Sequence, residues 1–153
     1  FVTLSRDMFI PTEMEIENFE EEKNKIKVIF FLDTSGSCAH LADRFWKAAK
    51  SLPEERFDIQ LCCFDTRVYE TSFESGKLYG FGGTSFHILE NYVQQYKKEK
   101  NNNKYPDAVF VITDGYGTPV TPEFCKKWYW FLSVDYRGCI PKECNIYDLK
   151  NYE

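Results

Sequence analysis

The stretch KVIFFLDTSGS, residues 27–37, carries a nearly continuous apolar run into an aspartate and then sets two serines about one glycine. An apolar run without alternation is the pattern of a central parallel strand covered on both faces. Asp33 therefore sits where such a strand ends. Three readings are open for it there: a catalytic group, a metal ligand, or the N-terminal cap of the helix that follows.

The same design recurs downstream. DAVFVITDG, residues 107–115, is a second apolar run that stops at an aspartate followed by glycine. Between the two runs, CAHLADRFWKAAKSL (38–52) places Leu41, Phe45, Ala48 and Ala49 at helical spacing, with Pro53 beyond its end. FDIQLCCFD (57–65) and RVYETSF (67–73) read as strands separated by Thr66 alone, hence as a hairpin. GKLYGFGGTS (76–85) is a glycine-rich loop, and SFHILENYVQQYKKEK (85–100) is an amphipathic helix. After Asp114 the sequence predicts a short helix near TPEFCKK (121–127), an aromatic buried strand WYWFLSV (128–134) and a last strand near NIYDL (145–149). Residues 1–25, acidic and weakly periodic, form an N-terminal lead-in segment with at most one short strand, and residues 26–153 form the folded domain. Strands alternating with helices predict a Rossmann-like three-layer α/β/α sandwich with a mostly parallel central sheet.

Composition narrows the function. With 153 residues and 43% apolar content the chain can bury one sizeable core. A net charge of −5, with no basic cluster longer than KKEK at 97–100, argues against a nucleic-acid partner. No apolar stretch approaches the roughly 20 residues that span a bilayer, and the N-terminus lacks the order of a signal peptide. Six cysteines scattered among core elements fit a reduced, cytoplasmic protein better than a disulfide framework. Cys139 and Cys144 are not at the usual zinc spacing. His40 and His87 lie too far apart to propose a site, and each reads as an ordinary satisfied histidine.

Sheet topology then gathers the polar residues. In open α/β sheets ligands sit beyond the carboxyl ends of the strands, near the point where strand order reverses. Asp33, Ser35, Ser37, Thr84 and Asp114 all fall on or beside such ends. All five offer oxygen and none offers sulfur or imidazole, which favours a hard cation such as Mg2+, with Mn2+ equivalent by ligand type. Gly36 is expected to turn the backbone between the serines, and Gly82 and Gly83 to let the loop before Thr84 approach the ion. Because Asp33 and Thr84 sit at an edge, removing either is expected to cost little stability.

DTSGS after an apolar strand, GGTS before a helix and VITDG after a second strand, in that order, resemble the metal-ion-dependent adhesion site of von Willebrand factor A domains. The resemblance spans residues 27 to about 134. It implies that the hydroxyls of Ser35, Ser37 and Thr84 and the carboxylates of Asp33 and Asp114, directly or through water, hold the metal, and that an acidic side chain of a protein partner completes the shell. GFGGTSF, ITDGYG and the short tail are most similar to bacterial and phage members of that family. These often form the C-terminal part of larger proteins and work beside AAA+ ATPases, so such an ATPase or its client is the implied partner. Tyr79, Phe81 and Tyr116, in the loops around the site, are the expected partner contacts. Cys38 stands where many relatives carry methionine.

The rival from another class is a hydrolase. Aspartic proteases need glycine two residues after the aspartate, where Ser35 stands, and neither Gly-x-Ser-x-Gly nor His-Glu-x-x-His occurs. FESGK, 73–77, lacks the first glycine and the helix of a phosphate-binding loop. Metal-assisted hydrolysis at the five-oxygen site lacks a general base other than the metal-binding aspartates themselves. A binding module, not an enzyme, is therefore the expectation.

Overall fold

The computed structural model describes residues 25–134 and 136–152, so the lead-in segment, all but Lys25, lies outside the described residues. In chain order these form β1 (Ile26–Asp33), a 3-10 helix (Gly36–Leu41), α1 (Ala42–Lys50), β2 (Phe57–Phe64), β3 (Val68–Thr71), α2 (His87–Lys100) and β4 (Ala108–Thr113). A one-turn 3-10 helix (Cys125–Lys127), β5 (Trp128–Leu132), β6 (Asn145–Asp148) and a last 3-10 turn (Leu149–Tyr152) complete the domain. The strands make one six-stranded sheet in the order β3-β2-β1-β4-β5-β6. Every pairing is parallel except the β2–β3 hairpin, which closes one edge. The class is α/β with a mostly parallel sheet.

Both faces of the central strands β1, β4 and β5 are buried, which explains their nearly continuous apolar runs. Along β1, Val28, Phe30 and Leu32 point to one side and pack with Phe45, Ala48 and Ala49 of α1. Ile29 and Phe31 point to the other and pack with Leu89, Val93 and Tyr96 of α2. The period-two alternation of side chains divides each strand between two cores. β4 does the same with Phe110 and Ile112 against Val109 and Val111. Register then pairs Phe30 with Phe110, and the two rings meet edge to face at 4.8 Å, an arrangement that the ring quadrupole favours.

Two elements depart from expectation. The first helix starts as a 3-10 turn through Leu41 before becoming α-helical, and TPEFCKK yields only the turn Cys125–Lys127. Phe124, with φ −123° and ψ 78°, and Trp128, already extended at the start of β5, leave helical backbone for that one turn alone.

The cysteine expectation is corrected. Cys125 and Cys144 form a disulfide, while Cys38, Cys62, Cys63 and Cys139 are free. Cys144 thus has a partner other than Cys139, and the two are not half of a zinc site. The pairing follows from strand register: Tyr129 lies opposite Asn145, so the residues that lead into β5 and β6 meet although 19 positions separate them. Closing a loop of that length stabilises a fold by about 3 kcal/mol in the chain-entropy account. Reductant should lower the urea midpoint of the wild type accordingly and leave that of Cys125→Ser unchanged; equal wild-type midpoints with and without reductant would show that the bridge carries no stability.

Candidate metal centre

β1 and β4 are neighbours in the sheet, and the crossovers that leave them run to opposite halves of it. Their carboxyl ends flank the crevice where open α/β sheets take ligands. Leu32 is opposite Ile112 in the register, so the next residues, Asp33 and Thr113, come side by side, and Asp114 follows at once.

Asp33 is wholly buried, and Ser35 and Asp114 are nearly so. Thr113 Oγ1 donates to Asp33 Oδ2 at 2.5 Å, and the Ser35 backbone N–H donates to Asp33 Oδ1 at 2.9 Å. The Ser35 hydroxyl also bonds the Asp33 carboxyl. Behind Thr113, the Gly115 N–H donates to its hydroxyl at 3.2 Å, and the Tyr116 N–H donates to Asp114 Oδ1 at 3.0 Å. Asp33 therefore closes a turn on Ser35 and does not cap the following helix, whose N-cap residue, Ser35, makes no side-chain cap hydrogen bond either.

Ligand atoms of Asp33, Cys38 and Asp114 lie within 4.8 Å of one another. Burial pushes the Asp33 carboxyl above its ordinary range, the hydrogen bonds from Thr113 and Ser35 oppose this, and the Asp114 charge adds to it. Among the described residues, no cation is one of the groups that act on Asp33. Burial, then the Asp33 charge, pushes the Cys38 thiol up to about 12. Two adjacent buried carboxyls with a hydroxyl beside them form a donor set that fits a divalent cation, whose charge would offset the cost of burying them.

The glycine-rich loop is held against this edge by residues not expected to matter. The Thr34 hydroxyl engages the carbonyls of Phe64 and Tyr79 at 3.0 and 2.7 Å. Asp65, almost buried, accepts from the backbone N–H groups of Arg67 and Gly82. Gly80 makes this fit: its φ is +108°, and a Cβ there would stand 2.8 Å from Thr34 Oγ1 and 2.9 Å from Asp65 Cγ. Gly82 likewise makes room for Asp65, and Gly36 is in open space without a left-handed backbone, so the turn between the serines does not require a glycine there.

Of the five expected ligands, the structure brings Asp33, Ser35 and Asp114 together. Ser37 stands in the 3-10 helix, and its side chain is outside the described set. Thr84 is half-buried on the loop that leads to α2, and its hydroxyl has no hydrogen-bond partner among the described residues. The expected partner contacts Tyr79, Phe81 and Tyr116 are all exposed. Phe81 has φ +72°, a left-handed backbone that costs a bulky residue energy. Tyr116 stacks on Tyr136 with ring centroids 4.2 Å apart. Sequence reasoning missed Thr113, Cys38 and Asp65. A threonine closing an all-apolar strand was the one visible signal for Thr113. The full burial of Asp33 also corrects the expectation of a low stability cost at the sheet edge, since truncating it strands the Thr113 hydroxyl and the Ser35 N–H.

The raised Asp33 carboxyl has a pH consequence. Its folded value lies above the ordinary 3.8, so the folded state binds the extra proton and the wild type loses stability as pH rises from the ordinary value through the folded one. Asp33→Asn has no proton to lose. Urea unfolding in chelator from pH 3 to 7 should show the difference between variant and wild type moving in the variant's favour as pH rises; a pH-independent difference would refute the assignment.

No protein-family model matches the chain, and no curated protein matches it.

Proposed function

We propose that the chain is a metal-dependent protein-binding module of the von Willebrand factor A type, with a three-layer α/β/α build. Its Mg2+, or equally Mn2+, is held among Asp33, Ser35, Ser37, Thr84 and Asp114. The observation that carries this is the meeting of two buried carboxyls, Asp33 and Asp114, at the ends of adjacent parallel strands, with no cation of the described residues among the groups acting on Asp33. The strand order, with one antiparallel edge strand, and the burial of both sheet faces support the family reading.

A bound divalent ion supplies an open position that the Asp or Glu of a protein partner fills. The residues do the rest. Thr113 and Ser35 hold the Asp33 carboxyl in one orientation, and the Tyr116 N–H holds that of Asp114. Phe81 and Tyr116 offer exposed rings on the two loops beside the site, and the strained backbone of Phe81 is the kind of local cost that persists at ligand contacts. Hydrolysis at the same site is the weaker alternative, because the metal-capable group contains no imidazole to act as base. An AAA+ ATPase or its client is the partner we favour, which carries a cytoplasmic location with it. The Cys125–Cys144 disulfide speaks against that compartment. No helix of the described residues is long and apolar enough to cross a membrane.

Two experiments test this. The immobilised domain should retain its partner from host lysate in Mg2+ and lose it in EDTA, and Asp33→Ala and Thr84→Ala should lose it in both; retention by all would end the proposal. Phe81→Gly should raise unfolding stability by about 1 kcal/mol, by relieving the left-handed backbone, while weakening retention. A variant that is stabilised yet retains its partner fully would remove Phe81 from the contact.

A further inference from the structure

We propose that Cys38 is itself a ligand at this centre, so that the site takes a thiophilic divalent cation of the Zn2+ and Co2+ class in preference to Mg2+. This rests on the metal-site reading above and changes the identity of the ion. Three chain segments supply the donors: Asp33 from the end of β1, Cys38 from the 3-10 helix, and Asp114 from beyond β4. Their ligand atoms fall within 4.8 Å of one another. Sulfur and oxygen on one tetrahedral zinc ion stand about 3.5 Å apart, so the side chains draw together by up to about 1.3 Å as the ion binds.

Cys38 is 1% exposed, and a buried cysteine ordinarily serves as a small apolar filler. Here the thiol has polar company. The Ser35 hydroxyl engages both Cys38 and the Asp33 carboxyl, and the Asp114 backbone N–H is directed at the sulfur. Among the described residues the carboxyl of Asp33 meets no cation, whereas the exposed Glu70 has Lys100 at 2.7 Å. Two carboxylates and a thiolate leave a fourth position of a tetrahedral ion for Ser35, water or a partner's carboxylate. Sulfur moves the preference away from Mg2+, which takes oxygen ligands, and toward borderline metals. On binding, the S–H bond breaks, its proton leaves to solvent and the metal–sulfur bond forms, with no change of oxidation state. Cys62, Cys63 and Cys139 are the other free thiols, and none belongs to the group.

The test is titration of the full chain with Co2+, Zn2+ and Mg2+ separately, for wild type, Cys38→Ser and Cys38→Ala, followed by near-ultraviolet absorption and calorimetry. The expected result is a thiolate-to-cobalt charge-transfer band in the wild type that both variants lose. Zn2+ affinity should fall about tenfold or more with the thiol, while Mg2+ affinity changes less than about twofold. Circular dichroism of Cys38→Ser verifies that the fold survives. Mg2+ binding with no cobalt band, or Zn2+ affinity equal in wild type and Cys38→Ser, would overturn the role of Cys38 and leave the binding module standing. Binding of none of the three ions would overturn both.

Discussion

The hydrogen bond from Thr113 to Asp33 is the contact on which the site depends. It exists because β1 and β4 are parallel neighbours in one register, Leu32 opposite Ile112. Side chains alternate along a strand, so a slip of one residue would turn Asp33 and Thr113 to opposite faces and exchange the two cores. The apolar packing that fixes the register, with Phe30 on Phe110 and Ile29, Phe31, Val109 and Val111 under α2, thereby fixes the polar site at its end. Stability and site geometry share one cause.

A buried carboxyl pair is expensive for the fold to keep. Each charge loses hydration, and the two repel. The hydrogen bonds from Thr113, Ser35 and Tyr116 return part of that cost, and they also hold the carboxyls in place. Such a concentration of unfavourable terms at the carboxyl edge of a sheet is what the proposed binding site requires, since local stability there yields to function. The surrounding loop follows the same logic. Asp65 and Thr34 spend their hydrogen bonds on pinning a glycine-rich turn, whose exposed tip, Phe81, sits in a strained conformation.

Much of this was legible beforehand. Nearly continuous apolar runs within 27–33 and 107–115 imply doubly covered strands, and the aspartates after them imply neighbouring strand ends if those strands pair. The hairpin at 57–73 and the helix ending at Lys100 were equally readable, since tight turns and helical periodicity are local. The part that Asp65 plays was not legible because a glycine signals close approach without naming what approaches: at Gly80 and Gly82 it is Asp65.

The sequence alone determined the strand and helix periods, the mostly parallel class and the oxygen donors at the strand ends, because these follow from side-chain patterns within a few neighbouring residues. Tertiary structure alone decided that Thr113 orients Asp33, that Cys38 turns its sulfur to the carboxylates, that Asp65 holds the loop, and that Cys125 meets Cys144. Each of those joins residues far apart in the chain, and only sheet order and register, set by packing over the whole core, bring them together.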